Sequence, residues 1–309
     1  MIEISPLRGI IAAAITPILP NGNLDVEGLL VYLRFLAKQG CHGALMLGTT
    51  GEGPSFSREE REQILQAALL IRQEYPEFLL LAGTGTPSLE ESILLTKRAF
   101  SLGYDAVVVL PPYYFRNAGE EGLHKWFEQI FRRAVPRDGK LLLYHIPSMS
   151  GISLSISFIE KLKDKYPTNF CGLKDSSGDE VFCRELGEHF GKELTVFTGK
   201  DNLLPLALQN HAAGSITAGA NLFPTLLRQT WDAYQQGDEP TFNHLAKVLQ
   251  QARLVVDQFP PASALVKGLL PRIFGFPYWQ MRLPLLPLPE DTLDQACQIL
   301  VQACADLLV

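Results

Sequence analysis

The chain has 309 residues, 47% of them hydrophobic and 19% charged, which gives ample material for a core and excludes disorder as the main state. Lys and Arg total 27 against 33 Asp and Glu, and the formal charge of −6 lacks the basic footprint of a nucleic-acid or anionic-membrane binder. No apolar run reaches the length of a membrane span, and the start, Met1 to Gly9, has no basic-then-apolar leader.

Short apolar runs alternate with longer amphipathic ones. The strand-like runs are 10–15, 44–47, 79–82, 106–110, 141–144, 170–174, 194–198 and 215–218, and a helical pattern follows each of the first seven. Leu29, Leu33 and Leu36 share a helical face that Gly40 ends. Ser57-Arg-Glu-Glu60 reads as a capping box opening a helix toward Tyr75. The stretch 88–102 repeats the pattern, with Leu89, Ile93 and Phe100 periodic and Gly103 as terminator. Eight such units in about 230 residues is the arithmetic of a TIM (β/α)8 barrel. A doubly wound open sheet would want fewer strands and a glycine-rich loop after the first; Ile15-Thr-Pro-Ile-Leu-Pro-Asn-Gly22 stands there instead. From Phe223 the chain reads as helical over 229–236, 242–256 and 292–308, with proline-rich breaks at Phe259-Pro-Pro-Ala262 and Leu283-Pro-Leu-Leu-Pro-Leu-Pro289. The division expected is a barrel core over 1–222 and C-terminal helices completing and flanking it over 223–309.

Five cysteines, Cys41, Cys171, Cys183, Cys297 and Cys304, are odd in number and lack zinc or redox spacing, so free thiols in the cytoplasm are expected. No two of the six histidines stand four apart, and no metal site is expected. No GxSxG, HExxH or Walker loop occurs.

The active site of a TIM barrel lies at the carboxyl ends of its strands. The polar residues at those ends are Gly48-Thr-Thr-Gly-Glu-Gly53, Gly83-Thr84, Pro111-Pro-Tyr-Tyr114, Tyr144, Lys174 and Gly199-Lys-Asp201. Lys174 closes an apolar strand in which alternation puts Phe170, Gly172 and Lys174 on one face, glycine leaving room in the barrel. A desolvated ammonium has its pKa pushed down, and the neutral amine attacks a ketone to form a Schiff base. The bland alternative is a lysine paired with Asp175 and facing solvent. Tyr144, one strand earlier, can relay protons during iminium formation, or can be an ordinary core tyrosine. Thr49 and Thr50 lie between glycines, where successive backbone N–H groups make an anion nest suited to a small carboxylate; a tight turn that simply needs glycine explains the pattern equally well.

Taken together, Gly48-Thr-Thr-Gly-Glu52, Pro112-Tyr-Tyr114, Tyr144-His-Ile-Pro147 with Gly151, and Gly172-Leu-Lys-Asp175 resemble the dihydrodipicolinate synthase / N-acetylneuraminate lyase family of class I aldolases, over essentially the whole chain. The resemblance implies that Lys174 forms a Schiff base with pyruvate or a 2-keto acid and that Tyr144 is the general acid/base. It implies that Thr49 and Thr50, after Gly48, hold the pyruvate carboxylate, and that Tyr114 reaches a neighbouring subunit's site and joins Thr50 and Tyr144 in a proton relay. Ile216 would lie against the pyruvyl methyl group, and Gly199 and Asp201 would face the second substrate. No metal or nucleotide cofactor is implied, and the expected assembly is a homotetramer or dimer.

Three departures bear on substrate. Met149 stands where the synthase branch has an arginine for the carboxylate of aspartate semialdehyde, His145 replaces an asparagine, and Gly83-Thr-Gly-Thr-Pro87 departs from the motif that helps bind lysine in lysine-inhibited synthases. The leading expectation is therefore an aldolase for a 2-keto-3-deoxy sugar acid or a related hydroxylated 2-keto acid, with dihydrodipicolinate synthase as runner-up. A non-catalytic 2-keto acid sensor and a metal-using, phosphate-binding barrel are the alternatives outside this class.

Overall fold

The structure is a computed structural model that describes residues 7–304. Eight strands close into an all-parallel barrel in chain order: β1 (Gly9–Ala13), β2 (Gly43–Met46), β3 (Leu79–Gly83), β4 (Ala106–Val109), β5 (Leu141–His145), β6 (Phe170–Asp175), β7 (Thr195–Thr198) and β8 (Gly214–Thr217). β8 returns to β1 in the register Ile11↔Ile216, which completes the ring. The strands are buried on both faces, so they read as continuous apolar runs rather than alternating ones. Ile11, Leu45, Leu81, Val108, Leu142, Phe197 and Ile216 fill the interior. Their neighbours Ile10, Ala44, Leu80, Val107 and Leu141 pack under the helices.

The connecting helices are α1 (Val26–Lys38), α2 (Arg58–Ala68), α3 (Leu89–Ser101), α4 (Glu120–Ala134), the single turn α5 (Pro147–Ser150) with α6 (Ile156–Lys165), α7 (Glu180–Phe190), and α8 (Leu204–Gln209). The capping box at Ser57 and Glu60 forms in full, each side chain bonding the other's backbone N–H. Beyond Ala68 the helix tightens into a 3₁₀ turn over Leu69–Gln73. α9 (Pro224–Gln236) packs on β1 as the eighth barrel helix, and α10 (Glu239–Gln258), α11 (Ala262–Phe274) and α12 (Glu290–Ala303) flank it. Among the described residues no helix is long and apolar enough to cross a membrane.

Two local expectations needed correction. The proline break at 259–262 ends α10 but opens a further helix, α11, whose residues Ser263 to Leu270 are all buried. A helix buried all round carries no amphipathic period, and so it escaped a reading based on periodicity. In β6, Phe170 does not share a face with Lys174. The pairing with β5 slips between Leu141↔Phe170 and Leu142↔Gly172, so Phe170 packs outward under the helices while Gly172 and Lys174 follow the inner register. Gly172 has φ of 151°, and a Cβ there would stand 2.0 Å from the Thr195 carbonyl oxygen. The glycine serves the close approach of β7 rather than room inside the barrel. Of the helix expected over 292–308, residues beyond Cys304 lie outside the described residues.

Candidate active site

Lys174 is the penultimate residue of β6 and lies in register with Tyr144 of β5. It is 3% exposed, and its Nζ stands 4.2 Å from the centroid of the Tyr144 ring. Among the described residues no carboxylate lies within ion-pair distance of Lys174. Asp175 turns the other way: its Oδ1 is 2.8 Å from His145 Nδ1 and accepts the Ser177 N–H at 3.1 Å, while its Oδ2 accepts the Ser177 hydroxyl at 3.0 Å. The alternative of a solvent-facing Lys174–Asp175 pair is thereby removed. A buried amine without a counter-ion is an uncommon and costly arrangement, and such groups cluster where chemistry is done.

Tyr144 is buried, and its hydroxyl lies 3.3 Å from Thr49 Oγ1. Burial pushes the phenol up. The Lys174 charge, together with hydrogen bonds from Thr49, Lys174 and Ser176, more than offsets that and holds it below its ordinary value. The relay contact expected of Thr50 is made by its neighbour Thr49; Thr50 is buried in the same turn. The turn itself is tightly determined. The Gly48 and Thr49 carbonyls accept from Gly53 and Glu52 N–H at 3.1 Å each, and Thr16 Oγ1 donates to the Gly51 carbonyl at 2.7 Å. Leu47 and Glu52 flank it in left-handed conformations, φ 59° and 57°. That is a strained backbone of the kind that persists only when its surroundings fix it.

Ile216, fully buried, belongs to the interior cluster that contains Tyr144 and Phe197. Gly199 donates its N–H to the Asp175 carbonyl at 2.6 Å, closing the β6 and β7 ends together. Met149, on α5, is 57% exposed, and Tyr114, beyond β4, is 75% exposed with its ring edge-on to Phe115. Within one protomer neither joins the Lys174–Tyr144–Thr49 cluster.

The Asp201 side chain is fully buried, and Oδ2 accepts from Arg253 of α10 at 2.9 Å. This pair anchors the loop after β7 to the C-terminal helices, a partner for Asp201 that the sequence did not suggest. Lys200 likewise is engaged, by Asp257 at 3.2 Å.

Three features escaped the sequence. Ser176, the residue after Asp175, helps hold the Tyr144 phenol below its ordinary value. His145, the last residue of β5, is buried against Asp175 and stands edge-on to Phe182 of α7. Glu52 is buried and pairs with Lys267 of α11 at 2.5 Å. The one available signal for the last was a lone charge in the apolar run Ala264-Leu-Val-Lys-Gly-Leu-Leu270. Among the described residues no cluster of three or more His, Cys, Asp or Glu is placed to hold a metal ion.

The sequence model of the dihydrodipicolinate synthetase family matches residues 6–303. An uncharacterized DapA-like lyase of Chloroflexus aurantiacus is 40% identical over 92% of this chain and 93% of its own length. A 4-hydroxy-tetrahydrodipicolinate synthase of Rhodospirillum centenum is 31% identical over 96% of this chain and 98% of its own. Among solved structures, YagE, a prophage protein of the dihydrodipicolinic acid synthase family from E. coli K12 in complex with pyruvate, superposes with a TM-score of 0.89 at 27% identity, covering 96% of this chain and 98% of that one. The barrel and these relatives define a class I, pyruvate-dependent aldolase or lyase. The chain belongs to the dihydrodipicolinate synthetase family.

Proposed function

We propose that the protein cleaves or forms a carbon–carbon bond next to pyruvate through a Schiff base on Lys174, with a hydroxylated 2-keto acid of the 2-keto-3-deoxy sugar-acid type as its substrate. The observation that carries the reading is the buried Lys174, without a carboxylate partner among the described residues and set over the Tyr144 ring at the carboxyl end of the barrel. The Lys174 amine adds to the C2 carbonyl carbon, and the carbinolamine loses its oxygen as water to give the protonated imine. The imine draws in the electron pair of the C3–C4 bond as a base takes the proton of the C4 hydroxyl, releasing an aldehyde and leaving an enamine. Protonation at C3 and hydrolysis then release pyruvate and restore the amine. On this reading Tyr144 moves these protons, supported by a phenol held below its ordinary pKa beside Lys174. Thr49 and Thr50, with the turn's N–H groups, take the substrate carboxylate, and Ile216 and Gly199 bound the pyruvyl part. The imine is the electron sink, so the reading calls for no metal or nucleotide cofactor. Five cysteines free of disulfides support a cytoplasmic location.

Met149 argues against a second anionic substrate. An arginine–carboxylate contact contributes about 1.5–3 kcal/mol, or roughly 10–100-fold, where it replaces a side chain that cannot pair. Lys200, a cation that could have substituted, is already held by Asp257. On this reading the unmodified protein cleaves a polyhydroxylated 2-keto-3-deoxy acid with higher kcat/KM than it condenses pyruvate with aspartate semialdehyde, and Met149→Arg shifts the ratio toward the semialdehyde by about 10–100-fold. A semialdehyde reaction at ~10⁴ M⁻¹s⁻¹ or above, with no sugar acid cleaved, gives the site to the synthase reaction instead. One observation favours that second reading. The stem of Arg116 lies against Gly151, so close that a Cβ there would sit 2.5 Å from Arg116 Cδ, which sets a cationic side chain against the residue two positions after Met149.

Tyr114 and Phe115 expose 75% and 71% of their surface side by side, an aromatic pair that a second copy of the chain could cover. We assign this pair to a contact between copies. Sedimentation at assay concentration is expected to give a dimer or tetramer, and Tyr114→Asp to shift it toward monomer with loss of activity. A fully active monomer of the unmodified protein contradicts the assignment.

A further inference from the structure

We propose that the C-terminal extension sets the geometry of the carboxylate-binding turn, with Lys267 and Glu52 as positioning residues for Thr49 and Thr50. This inference rests on the reading of that turn as the pyruvate carboxylate site.

Glu52 ends the turn that carries both threonines, and it holds a left-handed φ of 57° without the freedom of glycine. Its carboxylate is buried and, among the described residues, is reached only by groups from more than 200 positions further along the chain. Oε1 meets Lys267 Nζ of α11 at 2.5 Å, and Oε2 accepts the Arg282 N–H at 2.7 Å. Lys267 is itself fixed, donating to the Gln280 carbonyl at 2.6 Å, while the Gln280 N–H bonds the Ile18 carbonyl at 2.8 Å. Arg282 lies over the Phe56 ring, pairs with Glu60, and donates to the Gly22 carbonyl at 2.7 Å. Trp279 Nε1 donates to Asp25 Oδ2, at the cap of α1, at 2.9 Å. The segment around 279–282 therefore grips the loops after β1 and β2 together and holds Glu52 through a buried, two-pronged contact.

The consequence concerns ligand geometry rather than chemistry. Neither Lys267 nor Glu52 touches Lys174 or Tyr144, but Glu52 N–H bonds the Thr49 carbonyl and Thr49 Oγ1 faces the Tyr144 hydroxyl. A turn released from Glu52 leaves its strained conformation, and the threonine N–H groups lose their convergence on one anion. A buried charge stripped of its partner destabilises strongly, whereas replacing both partners by neutral groups of similar size is often tolerated. Lys267→Met alone therefore mixes the two effects, and Lys267→Met combined with Glu52→Gln separates them.

The experiment measures the pyruvate concentration that half-saturates borohydride-trapped adduct, kcat with saturating substrate, and Tm, for the unmodified protein and both variants. The expected result is at least a tenfold rise in half-saturation for Lys267→Met with a smaller change in kcat. In the double variant Tm returns toward the unmodified value while half-saturation stays raised at least fivefold. Half-saturation that recovers together with Tm, or that never changes, overturns the positioning role while leaving the Schiff-base reading intact. If neither variant folds, the pair is structural and the inference falls. An unmodified protein that forms no adduct at all overturns the reading on which the inference rests.

Discussion

Lys174→Ala is expected to lose turnover completely while keeping the fold. The imine is the step that makes C3–C4 cleavage accessible, and no other lysine is shown beside Tyr144. Removal of a catalytic nucleophile can cost on the order of 10⁶ in kcat, and here that places the variant at background. The fold should survive because Lys174 holds no ion pair among the described residues. Its loss removes a buried charge without orphaning another, unlike the loss of Lys267 from Glu52. A 1 kcal/mol change moves Tm by about 2–4 °C in a domain of 150–250 residues, and a shift of that order or smaller is expected here. Lys174→Arg keeps the charge beside Tyr144 but not the nucleophile, so it should be equally inactive. Turnover retained by either variant removes Lys174 from the mechanism.

The second large effect is expected from Tyr144→Phe. The ring packs in the interior cluster with Leu142, Phe197 and Ile216, and phenylalanine preserves that packing. What disappears is the hydroxyl that faces Thr49, Lys174 and Ser176. General acid/base groups contribute about 10²–10⁴-fold, so kcat should fall by that factor with a smaller change in the pyruvate concentration needed for trapping. The Lys174 charge and three hydrogen bonds hold the phenol below its ordinary value. The limb of the kcat/KM profile set by its ionisation should therefore fall at lower pH than a free phenol's, and should vanish in the phenylalanine variant. A rate change below threefold, or a profile that keeps that limb, takes the proton-moving role away from Tyr144.

The barrel was legible because its strands announce themselves: each is a short apolar run, and both faces are buried. The end of β6 was legible for the same reason, since a lysine closing such a run can only stand at the mouth. What failed were inferences that needed register or distance. Strict alternation misplaced Phe170, because a slip in the β5–β6 pairing is invisible in the sequence of either strand. The resemblance gave the contact with Tyr144 to Thr50, but Thr49 makes it, because which threonine faces Tyr144 depends on left-handed residues at 47 and 52, where the side chains predict no such φ. Asp201 was given a substrate contact by the resemblance; its partner Arg253 lies 52 positions on, in a helix read only for its apolar stripe. Lys267 was missed along with α11, since a helix buried on all sides shows no period.

The central claim is that Lys174 is the Schiff-base lysine, and peptide mapping after borohydride reduction with pyruvate tests it most directly. The account predicts one adduct per chain, with the mass of reduced pyruvate on the peptide containing Lys174 and none on Lys200 or Lys267. An adduct on another lysine, or no adduct at saturating pyruvate, would contradict it.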